Sequence, residues 1–127
     1  NNNLKIAGCN LWYDMDNPSV YSYVLFNMND TKMIGIKFIE EESKLDKDFY
    51  VNTEADIYVT HVPLIDQFDF TNTAYCRNLP IRENKIYIYG HMHESESDYI
   101  QSINAHFLTK PIGYTPNKNT KIGYFKL

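Results

Sequence analysis

The sequence predicts an α/β protein, and three observations predict it. ADIYVT (55–60) and KIYIY (85–89) are short apolar runs rich in Ile, Tyr and Val, the pattern of strands buried on both faces of a sheet. Each run stops abruptly in a polar turn, T-H-V-P after the first and G-H-M-H-E after the second. Helical spacing and a charge-rich stretch occupy the segments before them. No internal repeat or composition break divides the 127 residues, so a single domain is expected.

LKIAGCNLW (4–12) is compact and apolar and predicts a first short strand. DMDNPS (14–19) is a turn cluster in which Pro18 disfavours helix at Asn17. Ser19 is positioned to cap a helix over VYSYVLFNM, whose apolar residues at 20, 24, 25 and 28 follow helical spacing. TKMIGIKFI (31–39) is β-branched with a period near two, which predicts a strand or extended segment. EEESKLDKDF (40–49) reads as a solvated helix or loop, because charge runs usually face water. DYIQSINAHFLTK (98–110) predicts a hairpin turning near INA. PIGYTPNKNT (111–120) reads as loop and IGYFKL as a last strand.

Aromatics make up 15% of the chain, with eleven tyrosines, which suits strands and half-buried surfaces. A net charge of −4 provides no general attraction for nucleic acid or an anionic membrane. Cys9 and Cys76 stand alone without C-x-x-C spacing, so a reducing, cytoplasmic setting is expected rather than a disulfide framework. No apolar stretch approaches the ~20 residues a transmembrane helix needs. The chain opens on NNNLKIAG, without Met and without an element leading in, which predicts a piece cut from a longer protein.

Three of the four histidines fall at strand ends: His61 after the first run, His91 and His93 after the second. If the two strands are parallel neighbours, all three imidazoles collect beyond the carboxyl edge of the sheet, where open α/β sheets place their sites. Neutral imidazole is a common metal ligand, and in H-x-H both side chains point to one side. Gly90 would let the backbone turn beside a bound ion without a Cβ in the way.

THVP followed by GHMHES resembles the last two motifs of the calcineurin-like metallophosphoesterases. LWYD (11–14), FNMND (26–30), AYCRNL (74–79) and KPIGY (110–114) are similar, in order and spacing, to bacterial-type members of that family. The resemblance implies the C-terminal half of a β-sandwich of mixed sheets flanked by helices. It implies hydrolysis of a phosphate mono- or diester, in a small molecule or a phosphoprotein, by two divalent ions (Mn, Fe, Zn or Ni). His61 and His91 would hold one ion and His93 the other, with the two about 3.5–4 Å apart.

The family's earlier motifs, D-x-H, G-D-x-x-D and G-N-H-[DE], are absent, and Asn10, Asp14 and Asp16 do not have their spacing. The bridging carboxylate, an Asn ligand and the general-acid histidine would therefore come from an upstream segment or a second chain. The fragment alone is expected to be inactive. Two alternatives remain at this point: a non-catalytic scaffold of the same fold, and a single ion on three histidines. The other residues have plainer readings. His106 is a structural histidine in a strand, Cys76 fills space, and Met92 packs beneath the turn. Asp66 and Asp69 face solvent, and Glu94, Glu96 and Asp98 lie on the rim. Arg77 and Arg82 are the only arginines and can reach a phosphate, while Gly113 and Tyr114 border or shape the site.

Overall fold

The structure is a computed structural model that describes residues 3–64, 73–91 and 98–109. In chain order its elements are β1 (Ile6–Cys9), α1 (Pro18–Asn27), α2 (Asn29–Ile34), α3 (Ile36–Asn52), β2 (Ile57–Thr60), β3 (Ile86–Tyr89), β4 (Asp98–Ile100) and β5 (Ala105–Leu108). Short 3-10 turns occupy Thr73–Tyr75 and Gln101–Ile103. The five strands form one sheet in the order β1-β2-β3-β5-β4. β1, β2, β3 and β5 run parallel, and β4 is antiparallel to β5. The fold is thus α/β, a four-strand parallel sheet with helices and an antiparallel edge. The expected hairpin is present, turning at Asn104 in the left-handed region (φ 48°), which Asn tolerates better than most residues. The loop and strand expected over 111–127 lie outside the described residues.

α1 starts one residue before the expected cap. The Asn17 side chain, not that of Ser19, accepts hydrogen bonds from the Ser19 and Val20 N–H groups (3.0 and 3.4 Å). Pro18 then occupies the first helical position, where its missing N–H costs nothing. TKMIGIKFI does not form a strand. It spans the junction of α2 and α3, and the break is Gly35 at φ +91°, a conformation closed to most side chains. From there the inward positions of α3 are Ile39, Ser43, Asp46 and Tyr50, spaced four, three and four residues apart. That is helical spacing, but two of the four are polar, so the apolar pattern conceals it.

The stretch 40–49 is therefore helical as expected, yet it does not simply face water. Ser43 Oγ donates to the Tyr13 carbonyl (2.6 Å), and Asp46 accepts from the Trp12 N–H (3.0 Å). Both contacts are buried, and they tie α3 to the loop that leaves β1.

The core on one sheet face is built from the tyrosines. Ala7, Tyr58, Tyr87 and Phe107 share one register row. The Tyr58 and Tyr87 rings stack at 5.4 Å, and those of Tyr87 and Phe107 at 4.9 Å. Tyr50 from α3 packs on this row. The Tyr50 hydroxyl donates to the Pro80 carbonyl (2.7 Å), and burial, then Tyr87, holds the phenol neutral far above its ordinary range.

The other face departs from the expectation of strands buried on both sides. Ile6, Val59 and Ile88 remain 64%, 41% and 39% exposed, although Ile57 and Leu108 on that face are buried. Parallel sheets are normally covered on both faces, so an apolar surface left this exposed is unusual.

Arg82 closes the far end of α3. Its Nη2 donates to the carbonyls of Tyr50 (2.7 Å) and Val51 (2.9 Å), and its Nη1 to the Thr53 carbonyl and the Tyr58 hydroxyl. The guanidinium also lies 5.0 Å from the centre of the Tyr50 ring. The last turn of α3 has no basic residue of its own. Arg82 therefore serves the orphan carbonyls and the negative dipole end from a loop far along the chain.

Candidate metal centre

The parallel order β1-β2-β3 brings three carboxyl ends together, and backbone hydrogen bonds lace the segments beyond them. The Asn10 carbonyl accepts from both the His61 and the Val62 N–H (3.1 and 3.0 Å). The Gly90 N–H is shared between the carbonyls of Thr60 (3.3 Å) and His61 (3.2 Å). His61 and His91 consequently meet edge to face, with ring centroids 5.0 Å apart.

The backbone strain at this edge is not where the sequence suggested. A Cβ on Gly90 would meet only the His61 carbonyl and Nδ1 at 3.8–3.9 Å, ordinary contact. The left-handed residue is His91 itself (φ 61°), matched by Leu11 after β1 (φ 56°). Each such non-glycine residue costs roughly 1–3 kcal/mol, and outliers of this kind concentrate where function requires a fixed geometry.

Asp30 completes the cluster. One ligand atom from each of Asp30, His61 and His91 can be chosen so that all lie within 4.8 Å of one another. Ligands of one zinc ion, at about 2.0–2.2 Å from it, stand roughly 3–3.5 Å apart, a spacing of the same order as this cluster. The residue types fit a divalent ion: two imidazoles and one carboxylate, all half-buried. Asp30 places beside the two histidines a carboxylate that the sequence reading did not assign. His93, the third expected ligand, lies outside the described residues. So do Met92, Glu94, Glu96, Asp66, Asp69, Gly113 and Tyr114.

Tyr13 joins these groups. Its hydroxyl donates to Asp30 Oδ2 (2.6 Å) and lies 3.4 Å from His91 Nε2, while His91 Nδ1 is 3.8 Å from Asp30 Oδ2. The phenol has a single proton, and a carboxylate can only accept it. His91 thus faces Tyr13 through Nε2 and Asp30 through Nδ1. The Tyr13 ring also meets His91 edge-on at 5.5 Å, and Trp12 lies 5.3 Å from His61. Tyr75 stands 6.4 Å from His91, with its hydroxyl 2.7 Å from that of Tyr23 on α1. These rings wall the imidazoles and restrict their orientation.

Neither arginine serves this site. Arg77 is buried, pairing with Asp14 (3.4 Å) and reaching the Ser43 carbonyl (3.5 Å). Burial lowers its pKa from the ordinary arginine value, opposed by Asp14, Asp16 and Asp46. Arg82 caps α3. His106 sits on β5 with its neighbours alternating into the core, in register with Ile86.

Cys9, at the end of β1, has its thiol pushed up to about 11, by burial first and then by the Asp46 carboxylate, against a lowering contact from the Leu11 backbone. Only the thiolate is nucleophilic, so raising the pKa reduces reactivity at any pH below it. Iodoacetamide at pH 8 is expected to alkylate Cys9 about a hundredfold more slowly than an ordinary thiol. Peptide mapping of the labelled protein checks this, and rapid labelling of the native chain would contradict it.

Sequence reasoning missed Tyr13 and Asp30 as parts of the centre. Both stand inside stretches that resembled relatives, LWYD and FNMND, but nothing local to either stretch points to an imidazole. Among the described residues no helix is long and apolar enough to cross a membrane. Comparison with known protein families, with curated proteins and with solved structures gives no match to this chain.

Proposed function

We propose that this chain carries the histidine side of the metal centre of a phosphoester hydrolase acting on a phosphate mono- or diester. The observation that carries the reading is the convergence of Asp30, His61 and His91 at the carboxyl edge of the parallel sheet. A divalent ion in such a site supplies charge neutralisation for phosphoester oxygens and a lowered pKa for the attacking water. Asp30, His61 and His91 would hold one ion with coordination positions left open, as catalytic sites require. His93 would hold a second, as the resemblance implies. Mn, Fe, Zn and Ni all suit a mixed imidazole and carboxylate set.

The architectural part of the reading is a sandwich, with a second sheet lying over Ile6, Val59 and Ile88. The exposure of those apolar residues supports it. The remaining ligands and the general acid would come from the rest of the complete protein or from a second chain.

The test uses the full-length protein. Hydrolysis of p-nitrophenyl phosphate and bis(p-nitrophenyl) phosphate is measured before chelation, after it, and after Mn(II) is returned. The expected result is loss on chelation and recovery with Mn(II), and the ratio of the two rates assigns mono- or diester. A protein that binds Mn(II) through these residues and cleaves neither ester would overturn the hydrolase reading and favour a metal-bearing scaffold.

A further inference from the structure

We infer that Tyr13 is a positioning residue of the metal centre, orienting Asp30 and His91 through one phenolic oxygen. The inference rests on the metal-centre part of the proposal above, and not on the identity of the ester.

Three features of the structure carry it. The first is contact: the Tyr13 hydroxyl donates to Asp30 Oδ2 at 2.6 Å, a short bond of the charge-assisted kind, and lies 3.4 Å from His91 Nε2. One side chain thereby reaches two of the three ligands. The second is rigidity. Tyr13 is fully buried, and α3 clamps its segment from both sides of the peptide chain, Ser43 through the Tyr13 carbonyl and Asp46 through the Trp12 N–H. A positioning group is useful only if it is itself held, and buried polar groups on a helix provide that hold. The third is placement. His91 turns Nε2 to the phenol and Nδ1 to Asp30, 3.8 Å from its Oδ2, so the phenol meets the ring at the nitrogen turned away from the carboxylate. Outer contacts of this type fix the ring orientation of ligating histidines, and their loss typically costs 10–100-fold in metal affinity.

Other features of the structure fit this role. Ser43 and Asp46 are polar residues at core-facing positions of α3, where apolar residues would bury more favourably. Both are spent on the Trp12–Tyr13 segment. The left-handed Leu11 lies immediately before that segment and turns it back across the strand ends.

The experiment compares Tyr13→Phe with the unaltered chain, using Co(II) as the probe. The substitution removes one oxygen and keeps the ring contact with His91. Expected are a Co(II) Kd weakened about 10–100-fold, a changed visible ligand-field spectrum, and an apo melting temperature within a few degrees of the parent. Equal Kd and an identical spectrum would overturn the inference while leaving the metal centre standing. An unaltered chain that binds no Co(II) would overturn both. Should Tyr13→Phe fail to fold, histidine ring nitrogen-15 shifts of the Zn(II)-loaded parent decide the matter. A metal-bound Nδ1 with a protonated Nε2 on His91 supports the inference, and a metal-bound Nε2 overturns it.

Discussion

Alanine at His91 is expected to weaken Co(II) binding by more than about 100-fold, since losing a ligand should exceed the cost of losing an outer contact. The chain carries its own probe. Trp12 is the only tryptophan, and its ring lies 5.3 Å from that of His61, within quenching range of a paramagnetic ion in the cluster. Titration of the unaltered chain should quench Trp12 fluorescence, and His91→Ala and Asp30→Ala should abolish quenching over the same range. His106→Ala should titrate like the parent, because His106 lies on a different strand and belongs to no ligand set among the described residues. A His91→Ala curve that overlays the parent would remove His91 from the centre.

A companion variant separates ligand chemistry from backbone cost. His91 sits at φ 61°, where any Cβ is unfavourable. His91→Gly should therefore bind metal as poorly as His91→Ala yet be more stable than it by about 1 kcal/mol, or roughly 4 °C in melting temperature. Ordinarily the glycine variant would be the less stable of such a pair. An alanine variant as stable as the glycine variant would mean that the left-handed backbone is not held in solution.

Replacing Arg82 with alanine is expected to give a large loss of stability although it lies away from the site. The guanidinium makes hydrogen bonds to three carbonyls around the end of α3 and to the Tyr58 hydroxyl, and it covers the Tyr50 ring. Hydrogen bonds from charged donors contribute about 1.5–3 kcal/mol each when buried, and solvent access and relaxation of the helix end reduce the sum. A net loss of about 3 kcal/mol follows, or roughly 10 °C in melting temperature for a chain of this size. Arg82→Lys should recover only part of it, because an ammonium cannot reproduce the planar fork. Thermal melts of the three proteins check this. A change within about 2 °C for the alanine variant would show that α3 does not depend on this cap.

Much of the fold was legible in short windows of sequence. The apolar runs at 55–60 and 85–89 contain β2 and β3, LKIAGCNLW contains β1, and the hairpin turns within INA. Their local character is the reason: strand patterning and turn chemistry depend on neighbouring residues, so they can be read before the chain is folded. The same windows located His61 and His91, because a parallel pair of strands must deliver its ends to one edge.

What tertiary structure alone decided has a different physical origin. TKMIGIKFI looked extended because its β-branched residues dominate a short window, whereas the helix it begins is stabilised by inward positions that include Ser43 and Asp46. Those two residues look solvated until the loop they hold is in place. Arg82 was available for any anionic partner until the end of α3 arrived beside it with unpaired carbonyls. Asp30 and Tyr13 lie on separate segments with no mutual spacing rule, and they join the histidines only because α3 holds the Trp12–Tyr13 segment and α2 brings Asp30 beside it. Strands, turns and the histidine pair were set by the sequence itself, since local sterics and hydrophobic periodicity act along the chain. The carboxylate, the phenol that orients it and the helix cap were set by packing, since contacts between distant segments are determined only when burial brings them together.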